Sequence, residues 1–246
     1  MKRLIFMVFL LLTAAILVAQ DLTIEEIISK NLATIGQERV MSFGTIRRDG
    51  IVNIEGMEFP IFAIEKYPKL NYSEIEMQGL KIIIAGDGET GWTINPITGS
   101  SEPQDLPEFM INNLERESVK DPTAKWHNSF VNWKEKGFKA ELIGMEQFDN
   151  RPVYNLQFTF EDDYVVNYFM DASEFVVLKV RSTETEQGQT FKSEIIYRDY
   201  KDVDGVLIPY RIEMLVNGQV TQIFIINNVE FDVAVDDSIF AKPGMN

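Results

Sequence analysis

The chain has 246 residues, 45% hydrophobic, 11% aromatic and 25% charged, which is the composition of an ordinary globular protein and not of a disordered one. It contains no cysteine, so disulfides, thiolate nucleophiles, redox dithiols and cysteine-held zinc or iron–sulfur sites are excluded. A formal net charge of −15 sets the chain against nucleic acid and anionic lipid surfaces, both of which repel it.

In chain order, Lys2 and Arg3 precede an apolar run from Leu4 to Val18 that ends in Ala19, Gln20 and Asp21. This is the layout of a secretory signal peptide, and the run is short of the roughly 20 apolar residues of a membrane span. Cleavage is expected at Ala19 or Gln20. It removes residues 1–20, with two bases and no acid, and moves the net charge from −15 to −17. With no cysteine to acylate at the cut, residues 21–246 are expected as a soluble, exported, periplasmic single domain.

Thr23 to Ile35 reads as a helix. Thr23 and Glu26 have capping-box spacing, Ile24, Ile27, Ile28, Leu32 and Ile35 form an apolar stripe, and Gly36 closes it. From Ser42 the period changes to two: Met57, Phe59 and Ile61 alternate with Glu58 and Pro60, and Ile75 and Met77 with Glu74, Glu76 and Gln78. Asp49-Gly50, Asp87-Gly88, Asp204-Gly205 and Asn217-Gly218 read as hairpin turns. Between Ser100 and Lys136 the strand pattern stops. Asp105 and Glu108 there cap a helical stretch with Leu106, Phe109, Met110 and Leu114 on one face, and Trp126, Phe130 and Trp133 follow at helical spacing.

Strands then resume, with one face each for Tyr154, Leu156, Phe158 and Phe160, for Tyr164, Val166, Tyr168 and Met170, for Val176, Leu178 and Val180, for Phe191, Ile195 and Tyr197, and for Ile208, Tyr210, Ile212 and Met214. The pattern predicts a mainly β domain of roughly ten strands. Hairpin connections make the sheet antiparallel and curved: an incomplete barrel, or half-barrel, with an N-terminal helix and a mid-chain helical lid.

Candidate chemistry is sparse. Gly86-Asp87-Gly88-Glu89-Thr90-Gly91 matches a dinucleotide fingerprint, but a strand follows it instead of a helix and its acids repel phosphate. Asp202, Asp204 and Gly205 lack the rest of a calcium loop, and Asp162-Asp163 and Asp236-Asp237 have no ligand spacing. His127, the one histidine, has no metal-ligand companions, and no glycine-flanked serine elbow occurs. No cofactor, metal or catalytic residue is expected.

What stands out is 17 Phe, 8 Tyr and 10 Met on strand faces and the mid-chain stretch. Such residues fill a core or line an adaptable apolar pocket, and composition leaves both open. The candidate lipid-binding residues are Phe109, Met110, Leu114, Phe158, Phe160, Tyr168, Met170, Leu178, Tyr197, Tyr210, Ile212 and Met214.

The segments Asp87-Gly88-Glu89-Thr90-Gly91-Trp92-Thr93-Ile94-Asn95-Pro96, Gly144 and Glu146 before Tyr154-Asn155-Leu156, Tyr197-Arg198-Asp199-Tyr200-Lys201-Asp202-Val203-Asp204-Gly205 with Pro209, and Asp237-Ser238-Ile239-Phe240 before Pro243 together resemble the outer-membrane lipoprotein-sorting family, which has the fold of the periplasmic lipoprotein carrier. The resemblance spans nearly the whole mature chain. It implies a lidded, incomplete antiparallel barrel that shelters acyl chains of lipoproteins or lipids on the way to the outer membrane. It also implies donor and acceptor envelope proteins as partners, a monomer, and no enzymatic activity. The carrier's functional basic residue corresponds to Arg47 or Arg48. A lipid-responsive sensor module of the envelope and a carboxylate hydrolase stay open beside it, although no extra interaction domain and no paired acid and base are recognisable.

Overall fold

The computed structural model of the chain describes residues 22–87, 90–108, 110–111, 128–160, 163–186 and 189–244. The signal-peptide segment, Phe109, Leu114, Trp126 and His127 lie outside the described residues.

Two helices open the chain, α1 (Ile24–Thr34) and α2 (Gln37–Ser42). The capping box is present: Thr23 N donates to Glu26 Oε2 at 2.8 Å, and Glu26 N donates to Thr23 Oγ1 at 3.3 Å. Gly36 separates the helices in a left-handed conformation, φ 72°, where a Cβ would meet the Gly205 carbonyl oxygen at 2.0 Å. α2 was not expected from the apolar pattern, because at six residues it is too short to show a period.

Thirteen strands follow: β1 (Thr45–Ile54), β2 (Met57–Lys66), β3 (Leu70–Met77), β4 (Leu80–Gly86), β5 (Gly91–Asn95), β6 (Ser100–Asp105), β7 (Lys139–Phe148), β8 (Arg151–Thr159), β9 (Val165–Asp171), β10 (Val177–Glu186), β11 (Gln189–Val203), β12 (Val206–Val216) and β13 (Gln219–Phe231). All belong to one antiparallel sheet, in the order β6-β5-β4-β3-β2-β1-β13-β12-β11-β10-β9-β8-β7. β6 and β7 are its two edges and do not pair. The sheet is therefore a curved, incomplete barrel, as expected, with three more strands than the pattern indicated. Two meanders meet at a central seam where β1 pairs β13.

Three readings need correction. Asp49-Gly50 is not a turn. It lies within β1 at an irregularity in the pairing with β13, where a Cβ on Gly50 would stand 2.3 Å from the Ile225 carbonyl oxygen. Ser100–Asp105 is an edge strand, so Asp105 does not cap a helix; helical residues follow it at 108, 110 and 111, with Met110 N and Ile111 N bonded to the Pro107 carbonyl. Phe130 and Trp133 sit in consecutive turns over residues 129–137 and not on a helix. The Asp204-Gly205 and Asn217-Gly218 hairpins are as read.

α1 packs on one face of the sheet, called the inner face below. Ile27 and Ile28 join Leu156, Phe158, Val166, Tyr168, Met170, Val177, Val180, Ile195 and Tyr197 in the main core cluster. Phe130 from the mid-chain segment completes it, 4.9 Å from the Tyr168 ring and 5.4 Å from the Phe158 ring. A smaller cluster under α2 joins Val40 and Phe43 to Ile46, Val206, Ile208 and Val229.

Polar bonds fix the helix in place. Buried Asn31 donates from Nδ2 to the Phe175 carbonyl at 2.7 Å, and the Ile35 carbonyl accepts from Leu207 N at 3.1 Å. The Phe175 turn is itself held by buried Asp171, whose Oδ1 accepts from Ser173 N, Ser173 Oγ and Glu174 N, while Oδ2 meets Arg151 Nε at 2.8 Å.

Burial pushes the Asp171 carboxyl up, but the Ser173 and Glu174 donors and Arg151 outweigh it, leaving the carboxyl below its ordinary range. A lowered folded-state value adds stability above the unfolded pKa, near 3.9, and that stability is lost as pH falls through the folded value. Urea denaturation of wild type and Asp171→Asn is expected to show the variant less stable near neutral pH, with the gap closing as the pH drops below about 4.

Candidate ligand-binding face

Cross-strand register determines which side chains share the inner face, because partners in an antiparallel ladder point the same way. One row runs Leu142, Leu156, Tyr168, Val180, Ile195, Met214, Gln222, Ile54 and Met57, crossing from β7 to β2. Its two ends are exposed and its middle is buried, with Leu142 at the β7 edge 36% exposed. Leu156, Tyr168 and Val180 are at most 1% exposed beneath α1, Met214 and Ile54 are half-buried, and Met57 is 54% exposed.

A second row, Tyr197, Ile212, Phe224, Val52 and Phe59, stays largely buried; a third is formed by Gly50, Ile61, Ile75 and Ile82. In β1–β4 the inner face thus presents Ile54, Ile61, Ile75, Met77, Ile82 and Ile84, all half-buried, with Leu80 exposed at its end. The packed clusters that contain helix residues reach Ile212 on one side and Ile46 and Phe231 on the other. Among the described residues no helix-containing cluster extends over this apolar half of the inner face, where Val52 and Phe59 are nonetheless buried.

Arg48 is on the inner face by register and pairs with Glu65, whereas Arg47 points to the outer face and meets Asp49, Glu230 and the Phe62 ring. The outer face of β2–β5 is closed by the C-terminal segment: Trp92 Nε1 donates to the Phe240 carbonyl at 2.9 Å, Lys66 pairs with Asp237, and Lys242 pairs with Asp105. Asp236 caps Ser238 N, and Asp202 accepts from Gly205 N, so these acids serve turns. Among the described residues, no group of three or more acid or histidine side chains stands close enough to hold a metal ion.

The sequence-selected residues separate into three groups. Phe158, Phe160, Tyr168, Met170 and Tyr197 lie together in the core cluster under α1. Ile212 packs at the margin of that cluster, Met214 is half-buried beside it, and Tyr210 packs at the α2 cluster and lines a groove of about 380 Å3 with Asp199, Tyr200, Lys201, Arg211, Ile225 and Ile226. Leu178 is on the other face, with Val153, Phe169 and Val176, because a register shift between Val177 and Lys179 interrupts the alternation read from Val176 to Val180. Met110 is exposed, and Phe109 and Leu114 fall outside the described residues.

Sequence reasoning missed the isoleucines of β1–β4. The alternation of Met57, Phe59 and Ile61 and of Ile75 and Met77 was readable; that α1 stops short of them was not.

The mid-chain segment is anchored on the inner face as well. Asn128 donates to Gln37 Oε1 at 3.1 Å, the Ser129 and Tyr168 hydroxyls are 2.8 Å apart, and Lys136 Nζ donates to the Asn128 carbonyl at 2.9 Å. Burial holds the Lys136 ammonium below the ordinary lysine range.

No protein-family model matches the sequence, and no curated protein matches it. Solved structures do. A DUF1329 family protein from Desulfovibrio piger superposes with a TM-score of 0.59 at 14% identity, covering 89% of this chain and 98% of that one. A LolA superfamily protein from Nitrosomonas europaea gives 0.55 at 18% identity, over 90% and 98%. A putative outer membrane lipoprotein-sorting protein domain from Vibrio parahaemolyticus gives 0.58 at 11% identity, over 87% and 97%. The likeness is one of fold. The motifs that resemble the lipoprotein-sorting family thus mark an architecture shared along nearly the whole length of these chains.

The two halves of the inner face are expected to respond differently to truncation. Phe158→Ala should cost about 3–5 kcal/mol in chemical denaturation, as a packed core position does. Ile75→Ser and Ile82→Ser, at half-exposed positions, should each cost no more than about 1 kcal/mol.

Proposed function

We propose that the chain is an exported, periplasmic carrier that shelters acyl chains of a lipid or lipoprotein against the inner face of β1–β4 and β12–β13. The observation that carries this reading is the row of half-buried isoleucines on the inner face of β1–β4. The apolar surface continues from strand to strand beyond the reach of α1, with Ile54, Ile61, Ile75, Ile82 and Met214 held half-buried. A monomeric soluble protein keeps that much contiguous apolar surface for a ligand.

The ligand site includes Ile212 and Met214 at its margin and the β1–β4 isoleucines at its centre, while Phe158, Tyr168 and Met170 form the wall that supports it. Burying an acyl methylene contributes about 0.8 kcal/mol, so a sixteen-carbon chain gains on the order of 10 kcal/mol gross. No covalent bond and no nucleotide are needed to hold the ligand. Partial shelter also favours release to an acceptor, since complete burial of several chains would slow transfer between donor and acceptor proteins of the envelope. The shared fold with a putative lipoprotein-sorting domain supports the cargo class.

Titration of the purified mature chain with the fluorescent fatty acid cis-parinaric acid tests the reading. Wild type is expected to bind, and Ile61→Glu and Ile82→Glu to weaken binding by more than about tenfold, because each places an unpaired carboxylate against the chain. Both variants should melt close to wild type. A wild type that binds no acyl probe, and carries no lipid by mass spectrometry, overturns the proposal.

A further inference from the structure

Successive antiparallel hairpins place the β1–β2, β3–β4, β5–β6 and β12–β13 tips at one rim of the sheet, and the register of Ile54 with Gln222 aligns the last with the first. Ten large apolar side chains are exposed among the described residues. Five of them stand at these four tips: Met57, Leu80, Ile97, Val216 and Val220. The described turn residues of the opposite rim, including Lys69, Asp87, Asp149, Glu174 and Asp204, carry none of the ten. The stretch of this rim from β6 to β12 is therefore tipped with apolar groups, whereas the β8–β9 connection farther along the same rim carries exposed Asp163 and the opposite rim carries charged turns.

We infer that the rim formed by these hairpin tips is a docking edge for a lipid surface with zwitterionic headgroups. The inference rests on the carrier reading and adds how the carrier meets a membrane. Three features of the rim favour lipid over a protein partner. First, the apolar groups sit on separate tips, and alternate hairpins are about 10 Å apart at ordinary strand spacing. A stable protein interface needs a continuous area of roughly 1,200–2,000 Å2, whereas a bilayer accepts isolated inserted side chains.

Second, the tips join the inner face without a polar break. Leu80 continues into Ile82 and Ile84, Met77 into Ile75, and Met57 into Phe59 and Ile61. An acyl chain leaving a bilayer at this rim stays on apolar surface. Third, the tip residues are Gln78-Gly79, Thr98-Gly99 and Asn217-Gly218, all uncharged, and Glu55-Gly56. With a net charge of −15 on the chain, attachment comes from apolar insertion and not from attraction to anionic lipid.

Flotation of the purified mature chain with phosphatidylcholine vesicles tests the inference. The triple variant Ile97→Glu, Val216→Glu, Val220→Glu is expected to lower partitioning about tenfold or more, because charged side chains resist insertion. The control pair Ile143→Glu, Met145→Glu, at the equally exposed β7 edge, should float like wild type. Ile97→Glu alone, in a connecting turn outside every strand, keeps the test available if the triple variant does not fold.

Binding of cis-parinaric acid in vesicle-free solution should be the same in rim and control variants. Wild type that fails to float, rim variants that float like wild type, an equal loss in the control, or binding weakened by added salt each overturns the docking edge. A rim built for a protein acceptor gives the first of these results. Failure of acyl binding in wild type, with rim-dependent flotation intact, overturns the carrier reading and leaves the lipid contact standing.

Discussion

The docking of α1 on β8–β11 is the contact on which the other features depend. Ile27 and Ile28 fill one half of the inner face, and buried Asn31 ties the helix to the Phe175 turn. Because an 11-residue helix is about 16 Å long, it covers only a few strands at the ordinary spacing of 4.8 Å. The half it covers becomes core. Beyond it, across β12, β13 and β1–β4, the face stays apolar, with Ile54, Ile61, Ile75 and Ile82 half-buried and Val52 and Phe59 buried. The length of a single helix thus sets how far the α1-packed core extends across the sheet.

Topology sets the second constraint. Strands β6 and β7 are neighbours in the chain and the two far edges of the sheet, so residues 106–138 join one edge to the other. The described ends of this connection are firmly held: Leu106 N bonds to the Gly91 carbonyl, and Asn128, Ser129 and Phe130 are buried against Gln37, Tyr168 and Phe158.

The sequence expressed the fold class and helix α1 clearly, since a capping box and period-two alternation are local signals. It expressed the strand count less well, because β6, Ser-Ser-Glu-Pro-Gln-Asp, is polar throughout and held by pairing with β5 on one side only. Asp49-Gly50 looked like a turn because the same dipeptide serves both a tight turn and a close approach of two backbones. The site was only half legible. Aromatic density drew attention to Phe158 and Tyr168, yet large aromatic rings are what a helix packs against. The isoleucines of β3 and β4 gave the same alternation with no sign of whether a helix would lie over them. Coverage is a property of helix length and docking angle, which no single strand records.

The seam between β1 and β13 joins residues from opposite ends of the chain, Ile46 beside Phe231 and Ile54 beside Gln222. Each meander builds itself from local hairpins, but the seam closes a loop of nearly the whole domain, the kind of non-local pairing that slows folding. During synthesis β1 is made first and its partner last. Until β13 arrives, the backbone edge of β1 and the isoleucines beside it have no neighbour on that side. In the growing chain, the apolar face of β1–β4 stands beside an open strand edge of the kind that promotes aggregation.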